Sequence, residues 1–310
     1  MTTYRRVDFL SIGTQCDAWF FEAPTDSPFA GPAGCPVVVM AHGFGGTKDA
    51  GLEPFARRLN AAGLAVFAFD YRGFGLSAGE PRQKVSIPGQ IEDYRAALNA
   101  AATMPGVDPE RLIAWGISMS AGHALSIAAD RSDICAVIAV VPLVNGLSAG
   151  ITAAKQEGAA ALAKSTVSSV RSALAGRFGG ERVMIPLVGK PGSKAAMTAE
   201  GYYESYLAIA GPSWRNEVDA SVGMELGGMR ADRRAAHVTA SVLMQIADFD
   251  RAAPPHAAAK AGFAARAEVR HYPCDHFDVF AGNPWFEPAL EHQVSFLSRH
   301  LAAAAPGVRS

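Results

Sequence analysis

The sequence predicts a doubly wound α/β fold with a mainly parallel sheet and an inserted, mostly helical cap. Three observations lead there. Apolar runs at Val37–Ala41, Ala65–Phe69, Leu112–Trp115 and Ile134–Val140 alternate with stretches of helical periodicity. A strand that is apolar throughout is covered on both faces, as in sheets flanked by helices. One run ends in Gly116-Ile117-Ser118-Met119-Ser120, small residues on both sides of a sharp strand-to-helix turn. The alternation then lapses from Asn145 to about Ala235 and resumes at Ser241–Ala247.

Taken in order, Val7–Ile12 and Asp17–Phe21 read as an antiparallel hairpin at the sheet edge, joined through Gly13. A Pro/Gly-rich loop, residues 24–36, leads to the Val37–Ala41 strand, which ends in His42-Gly43-Phe44-Gly45-Gly46. Leu52–Ala62 reads as a helix closed by Gly63. Ala65–Phe69 runs into the glycine-rich loop Asp70–Ser77. Gln90–Met104 carries Ile91, Tyr94, Ala97 and Leu98 on one helical face. Asp108-Pro109 marks the turn into the strand before Ser118, and Ala121–Ala129 reads as the helix after it. After the insert come a strand to Ala247, a helix at Pro255–Ala265, a strand at Ala267–Tyr272, and a last helix from about Phe286 to Ala304. The expected division is a core of residues 1–145 and 236–310 with a cap of residues 146–235. No internal repeat is visible.

Composition narrows the function. The chain has 310 residues, 49% of them apolar, enough for one large core. Lys plus Arg is 28 and Asp plus Glu 29, a net charge of −1 with no basic stripe, which argues against nucleic acid. No apolar run is long enough to span a membrane or to serve as a signal peptide. Cys16, Cys35, Cys135 and Cys274 have no metal-ligand spacing, so a reduced, cytoplasmic protein is expected.

The turn at Ser118 suits a serine nucleophile. Its apex is held in a strained backbone, with the side chain exposed at the top of the sheet and a helix N-terminus behind it. Ser120 stands where a second glycine is usual and competes for the role. Ser118 is preferred because it follows the strand directly and has Gly116 two residues before it. Without chemistry, the same turn would be a tight strand-to-helix connection and nothing more.

Acyl transfer by serine needs a base, an acid that orients the base, and an oxyanion hole, all at the carboxyl ends of strands. His276, just past the Ala267–Tyr272 strand, fits the base. His271 lies inside that strand and reads as structural; His292 and His300 lie on the last helix and His256 on the one before the strand. The acid follows the preceding strand, where Asp248 and Asp250 compete. Asp250, in the turn that ends at Pro254, is preferred over Asp248, which reads as a loop cap. The order Ser118, Asp250, His276 matches that of serine hydrolases on this kind of sheet. The N–H groups of Phe44 and Met119 are the expected oxyanion hole. Tyr202, Tyr203 and Tyr206 are candidate substrate-binding residues, or one buried face of a cap helix. A metal cluster of Asp248, Asp250, Asp275, His276 and Asp278 is the competing reading; no metal and no cofactor are expected.

With these residues in place the chain resembles an α/β-hydrolase over nearly its whole length. The carriers are His42–Gly46, Asp70–Gly75, Gly116–Ser120, Asp250–Pro254 and Asp275-His276-Phe277. Ser120 with Ala121-Gly122-His123, and Ile185–Gly192 in the insert, are similar to the bacterial and fungal branch of YcjY-like and polyketide-transferase-like proteins. The resemblance implies the fold and a Ser–Asp–His triad, not the substrate. The expected function is hydrolysis of carboxylic esters or thioesters of small to medium apolar substrates through an acyl-enzyme. An acyltransferase using the same intermediate, or a ligand receptor with a slow triad, remains open. The expected partners are a small-molecule ester or thioester and no nucleic acid, with a homodimer allowed.

Overall fold

The computed structural model describes residues 3–157, 169–175 and 180–301. Eight strands form one sheet in the order β1-β2-β4-β3-β5-β6-β9-β10. They are β1 (Arg5–Ser11), β2 (Thr14–Phe21), β3 (Cys35–Ala41), β4 (Ala65–Phe69), β5 (Val107–Ile117), β6 (Ile134–Val140), β9 (Ser241–Ala247) and β10 (Glu268–Tyr272). β1 and β2 form the antiparallel edge, and β2 pairs antiparallel with β4. All pairs from β4 to β10 are parallel. The apolar runs are central for the expected reason: every residue of β3 and of β4 is buried.

Helices α1 (Glu53–Ala61), α2 (Ile87–Ala102) and α3 (Met119–Ala128) connect the first half of the sheet. Helix α2 begins before the predicted Gln90, because Ser86 caps it and Pro88 sits in the first turn, where the missing N–H costs nothing. Strand β5 begins before the predicted turn at Asp108-Pro109. Its register with β3 shifts between Cys35, opposite Val107, and Val37, opposite Leu112, which absorbs the irregular start. Tyr94 of α2 anchors that helix to the sheet, its hydroxyl proton shared between the carbonyls of Val39 and Trp115, both at 2.8 Å.

Between β6 and β9 the described chain contributes no strand to this sheet. It holds helix α4 (Gly146–Glu157), a helical stretch at 169–175, helix α5 (Tyr202–Ile209) and helix α6 (Val222–Gly227). A two-stranded ribbon, β7 (Met184–Ile185) with β8 (Val218–Asp219), was not predicted; two residues per strand are too few for a period to be read. Parts of the predicted cap, residues 158–168 and 176–179, lie outside the described residues, as does the predicted end of the last helix. After the insert, α7 (Pro255–Ala264) joins β9 to β10, and α8 (Phe286–Leu301) closes the fold.

A charged cluster in the core escaped the sequence reading. Lys48, fully buried, places Nζ 2.6 Å from Asp70 Oδ2 and against Asp17. The Lys48 backbone N–H also donates to Asp70 Oδ1 at 2.7 Å. The turn after His42–Gly46 is thereby tied to the end of β4 and to β2. Gly75 has φ +48° and passes so close to Asp70 that a Cβ there would lie 2.3 Å from its carboxylate. That contact explains one of the glycines of the loop after β4.

Candidate active site

Ser118 sits between β5 and α3 with φ 58° and ψ −121°, outside the regions a non-glycine residue ordinarily adopts. Two bonds hold it there: its N–H donates to the Val140 carbonyl at 2.9 Å, and its carbonyl accepts from Leu143 N–H at 3.0 Å. Gly116 permits the turn, since a Cβ at that position would lie 2.3 Å from the Ser120 carbonyl oxygen. Ser120 is used differently. Its Oγ donates to the Ala41 carbonyl at 2.7 Å and accepts from Ile117 N–H at 2.8 Å, and it is fully buried. It locks the turn from inside, whereas Ser118 lines a cavity.

His276 lines the same cavity from the loop after β10. Its Nδ1 is 2.7 Å from Asp250 Oδ2, with both side chains buried. The other Asp250 oxygen accepts from the N–H groups of Ala252 at 2.8 Å and Ala253 at 2.6 Å, so the carboxylate is fully engaged. Burial would lower the His276 pKa. The Asp250 charge and hydrogen bond outweigh it, Asp275 adds to them, and the net displacement is upward from 6.5. Asp248 faces elsewhere: it meets His271 Nδ1 at 2.6 Å on the exposed edge of the sheet. The remaining acidic residues of the loop are also separately engaged, Asp275 with Arg251 and Asp278 with the Asp275 N–H. His292, on the last helix as expected, meets the Tyr272 hydroxyl at 2.8 Å.

The third part is the loop after β3. Gly43 packs against the serine turn, where a Cβ would stand 3.1 Å from Ser118 Cβ and 3.2 Å from the Ile117 carbonyl oxygen. His42 is buried, and burial displaces its pKa downward from 6.5, favouring the neutral ring. Its Nδ1–H donates to the Gly43 carbonyl at 3.0 Å. That carbonyl and the Phe44 N–H belong to one trans peptide and point opposite ways, so fixing one fixes the other. Met119 is the first residue of α3, and its N–H has no acceptor within the helix. The helix dipole adds partial positive charge at the same place.

The insert supplies the far wall. Tyr206, Met197 and Ile209 line the cavity with Phe277 and Phe280 of the core. The volume beside Ser118 is small, about 30 Å³. Of the three candidate tyrosines, Tyr206 lines it and Tyr202 and Tyr203 do not. The Tyr202 and Tyr206 hydroxyls bond to the core instead, to Asp275 and to the Phe44 carbonyl. Met197 and Ile209 were missed because an isolated aliphatic residue in an irregular insert carries no pattern. The spacing of Tyr202 and Tyr206, one helical turn apart, was the signal available for the tyrosines.

Known proteins resemble the chain in both sequence and fold. The family model described as serine aminopeptidase, S33 (Hydrolase_4) matches residues 33–277. Quorum-quenching protein AidA of Acinetobacter baumannii (strain MDR-ZJ06) is 34% identical over 301 residues, with 94% of each chain covered. Thiohydrolase aneE of Aspergillus aculeatus is 35% identical over 144 residues, 46% of this chain and 43% of that protein. The crystal structure of the alpha/beta hydrolase GrgF from Penicillium sp. sh18 matches with a TM-score of 0.77 at 21% identity, covering 97% of this chain and 99% of that one. With the sheet order, the strained turn after β5 and these matches together, the chain belongs to the serine aminopeptidase S33 family of α/β-hydrolase enzymes.

Proposed function

We propose that the protein is a serine hydrolase of carboxylic esters or thioesters with short acyl groups, acting through an acyl-enzyme on Ser118. The observation that carries the reading is the buried His276–Asp250 pair opening onto the cavity that holds Ser118. In this reading Ser118 Oγ attacks the substrate carbonyl carbon and gives its proton to His276 Nε2. Asp250 holds the Nδ1–H tautomer and stabilises the imidazolium. The N–H groups of Phe44 and Met119 receive the oxyanion. Collapse breaks the bond to the alcohol or thiol, which leaves with the proton from His276. Water then attacks the acyl-enzyme, passing its proton to His276, and the acid is released as Ser118 is reprotonated.

The cavity supports a short acyl group. Its walls are largely apolar side chains, and the space against Ser118 is small. The name of the relative thiohydrolase aneE supports thioesters as members of the substrate class. A panel of p-nitrophenyl esters and acyl thioesters from acetyl to decanoyl tests the proposal. The expected result is the highest kcat/KM at the short end, with Met197→Ala moving the optimum toward longer chains. Failure to turn over any ester or thioester would remove the reading. Transfer to an added alcohol in preference to water would replace it with an acyltransferase.

A further inference from the structure

We propose that helix α5 of the insert is a positioning element for catalysis, holding the base loop through Tyr202 and the oxyanion loop through Tyr206. The inference rests on the serine-hydrolase reading above and assigns two residues that do not touch the reacting atoms.

Tyr202 and Tyr206 lie one turn apart, so their side chains share a face of α5. Tyr202 donates its hydroxyl to Asp275 Oδ1 at 2.9 Å. The same oxygen accepts from the His276 backbone N–H at 2.8 Å and from Arg251 N–H at 3.1 Å. Asp275 therefore joins three things: the residue after Asp250, the backbone of His276, and the insert. Arg251 closes the arrangement, with Nε 2.7 Å from Asp275 Oδ2 and its guanidinium 5.0 Å from the centre of the Tyr202 ring. Burial and the neighbouring carboxylates push the Tyr202 pKa well up, so the hydroxyl stays a donor.

Tyr206 works at the other loop. Its hydroxyl donates to the Phe44 carbonyl at 2.9 Å, and its ring stacks on Trp214 with centroids 5.0 Å apart. With His42 holding the preceding peptide, both peptides around Phe44 are fixed, and with them the direction of the Phe44 N–H. Between the two tyrosines lies Phe277, whose ring makes edge contacts with Tyr202 at 5.0 Å and Tyr206 at 5.6 Å. It is the residue after His276. One helix thus grips both sides of the cavity, and its last residue, Ile209, is part of the cavity wall. Two loops from different strands are held in register by a single rigid element, as catalytic groups require.

Phenylalanine keeps the packing and deletes only the hydroxyl, so Tyr202→Phe, Tyr206→Phe and Asp275→Asn separate positioning from stability. The measurements are kcat and KM for the best ester, the rate of inactivation by a small fluorophosphonate, and the pH profile. For Tyr206→Phe, kcat and the inactivation rate are expected to fall about tenfold, short of the loss from deleting an oxyanion donor, with KM within about twofold of wild type. Tyr202→Phe is expected to lower kcat in the same way. The groups facing His276 are Asp250 and Asp275, with Arg251 and Tyr202 behind Asp275. Asp275→Asn removes a charge that raises the His276 pKa, so the acid limb of its profile is expected at lower pH than in wild type. Folded variants with wild-type kcat, inactivation rate and acid limb would overturn the proposal and leave the helix a structural support. That failure is distinct from failure of the hydrolase reading, which would show as a wild-type protein that turns over no ester or thioester, or as an active Ser118→Ala protein.

Discussion

Asp250→Asn is expected to lower kcat about 10⁴-fold at neutral pH, while Asp248→Asn changes it by less than about twofold. The two carboxylates stand two residues apart, but only Asp250 meets His276, at 2.7 Å. Asparagine can still accept from Ala252 and Ala253, so the loop keeps its bonds. Its amide group, however, places a donor against His276 Nδ1 and favours the tautomer with the proton on Nε2. That tautomer cannot take a proton from Ser118. Asp248 instead pairs with His271 on the exposed edge. Steady-state kinetics of the two purified variants make the comparison, and equal or reversed losses would move the orienting role to Asp248.

The same pair is expected to set the pH dependence. With His276 as the base of the proposed reaction, it must be neutral to act, so activity is expected to rise with pH through its pKa. Burial works to lower that pKa, but Asp250 prevails and lifts it above 6.5. The acid limb of kcat/KM is therefore expected above pH 6.5, and in Asp250→Asn it moves to lower pH, because the charge that raised it is gone.

Lys48→Met is expected to cost about 3–5 kcal/mol of stability. Methionine fills the space of the lysine stem but leaves the carboxylates of Asp17 and Asp70 buried without their shared cation. The exposed pair Arg215–Glu217 is the control, and Arg215→Ala should leave stability nearly unchanged. Urea unfolding of both variants reads the difference. A loss below about 1 kcal/mol in Lys48→Met would mean that the cluster relaxes or admits water, and is not the tie that holds the turn after β3.

The fold was legible because its central strands are buried on both faces and carry no alternation to misread. The serine turn was legible because a strand, small residues and a helix stand in immediate succession. Other features depend on contacts between distant segments. The turn that ends at Pro254 favours Asp250 over Asp248, but what turns one carboxylate inward lies outside Asp248-Phe249-Asp250: β9 pairs with β10, and Asp248 N–H bonds to the Tyr272 carbonyl. Lys48 becomes a core residue only because β2 and β4 bring Asp17 and Asp70 to it. The tyrosines of α5 read as pocket or packing residues, because sequence spacing shows a shared face but not the two loops that face meets.

Ser118, and not Ser120, is expected to form the covalent intermediate. Ser120 Oγ is committed to Ala41 and Ile117, while Ser118 lines the cavity with His276. The most direct measurement is intact-mass analysis after fluorophosphonate treatment, followed by fragmentation of the labelled peptide. One adduct is predicted, located on Ser118 and missing from Ser118→Ala. An adduct on Ser120 or any other residue, or labelling that persists in Ser118→Ala, would contradict the account.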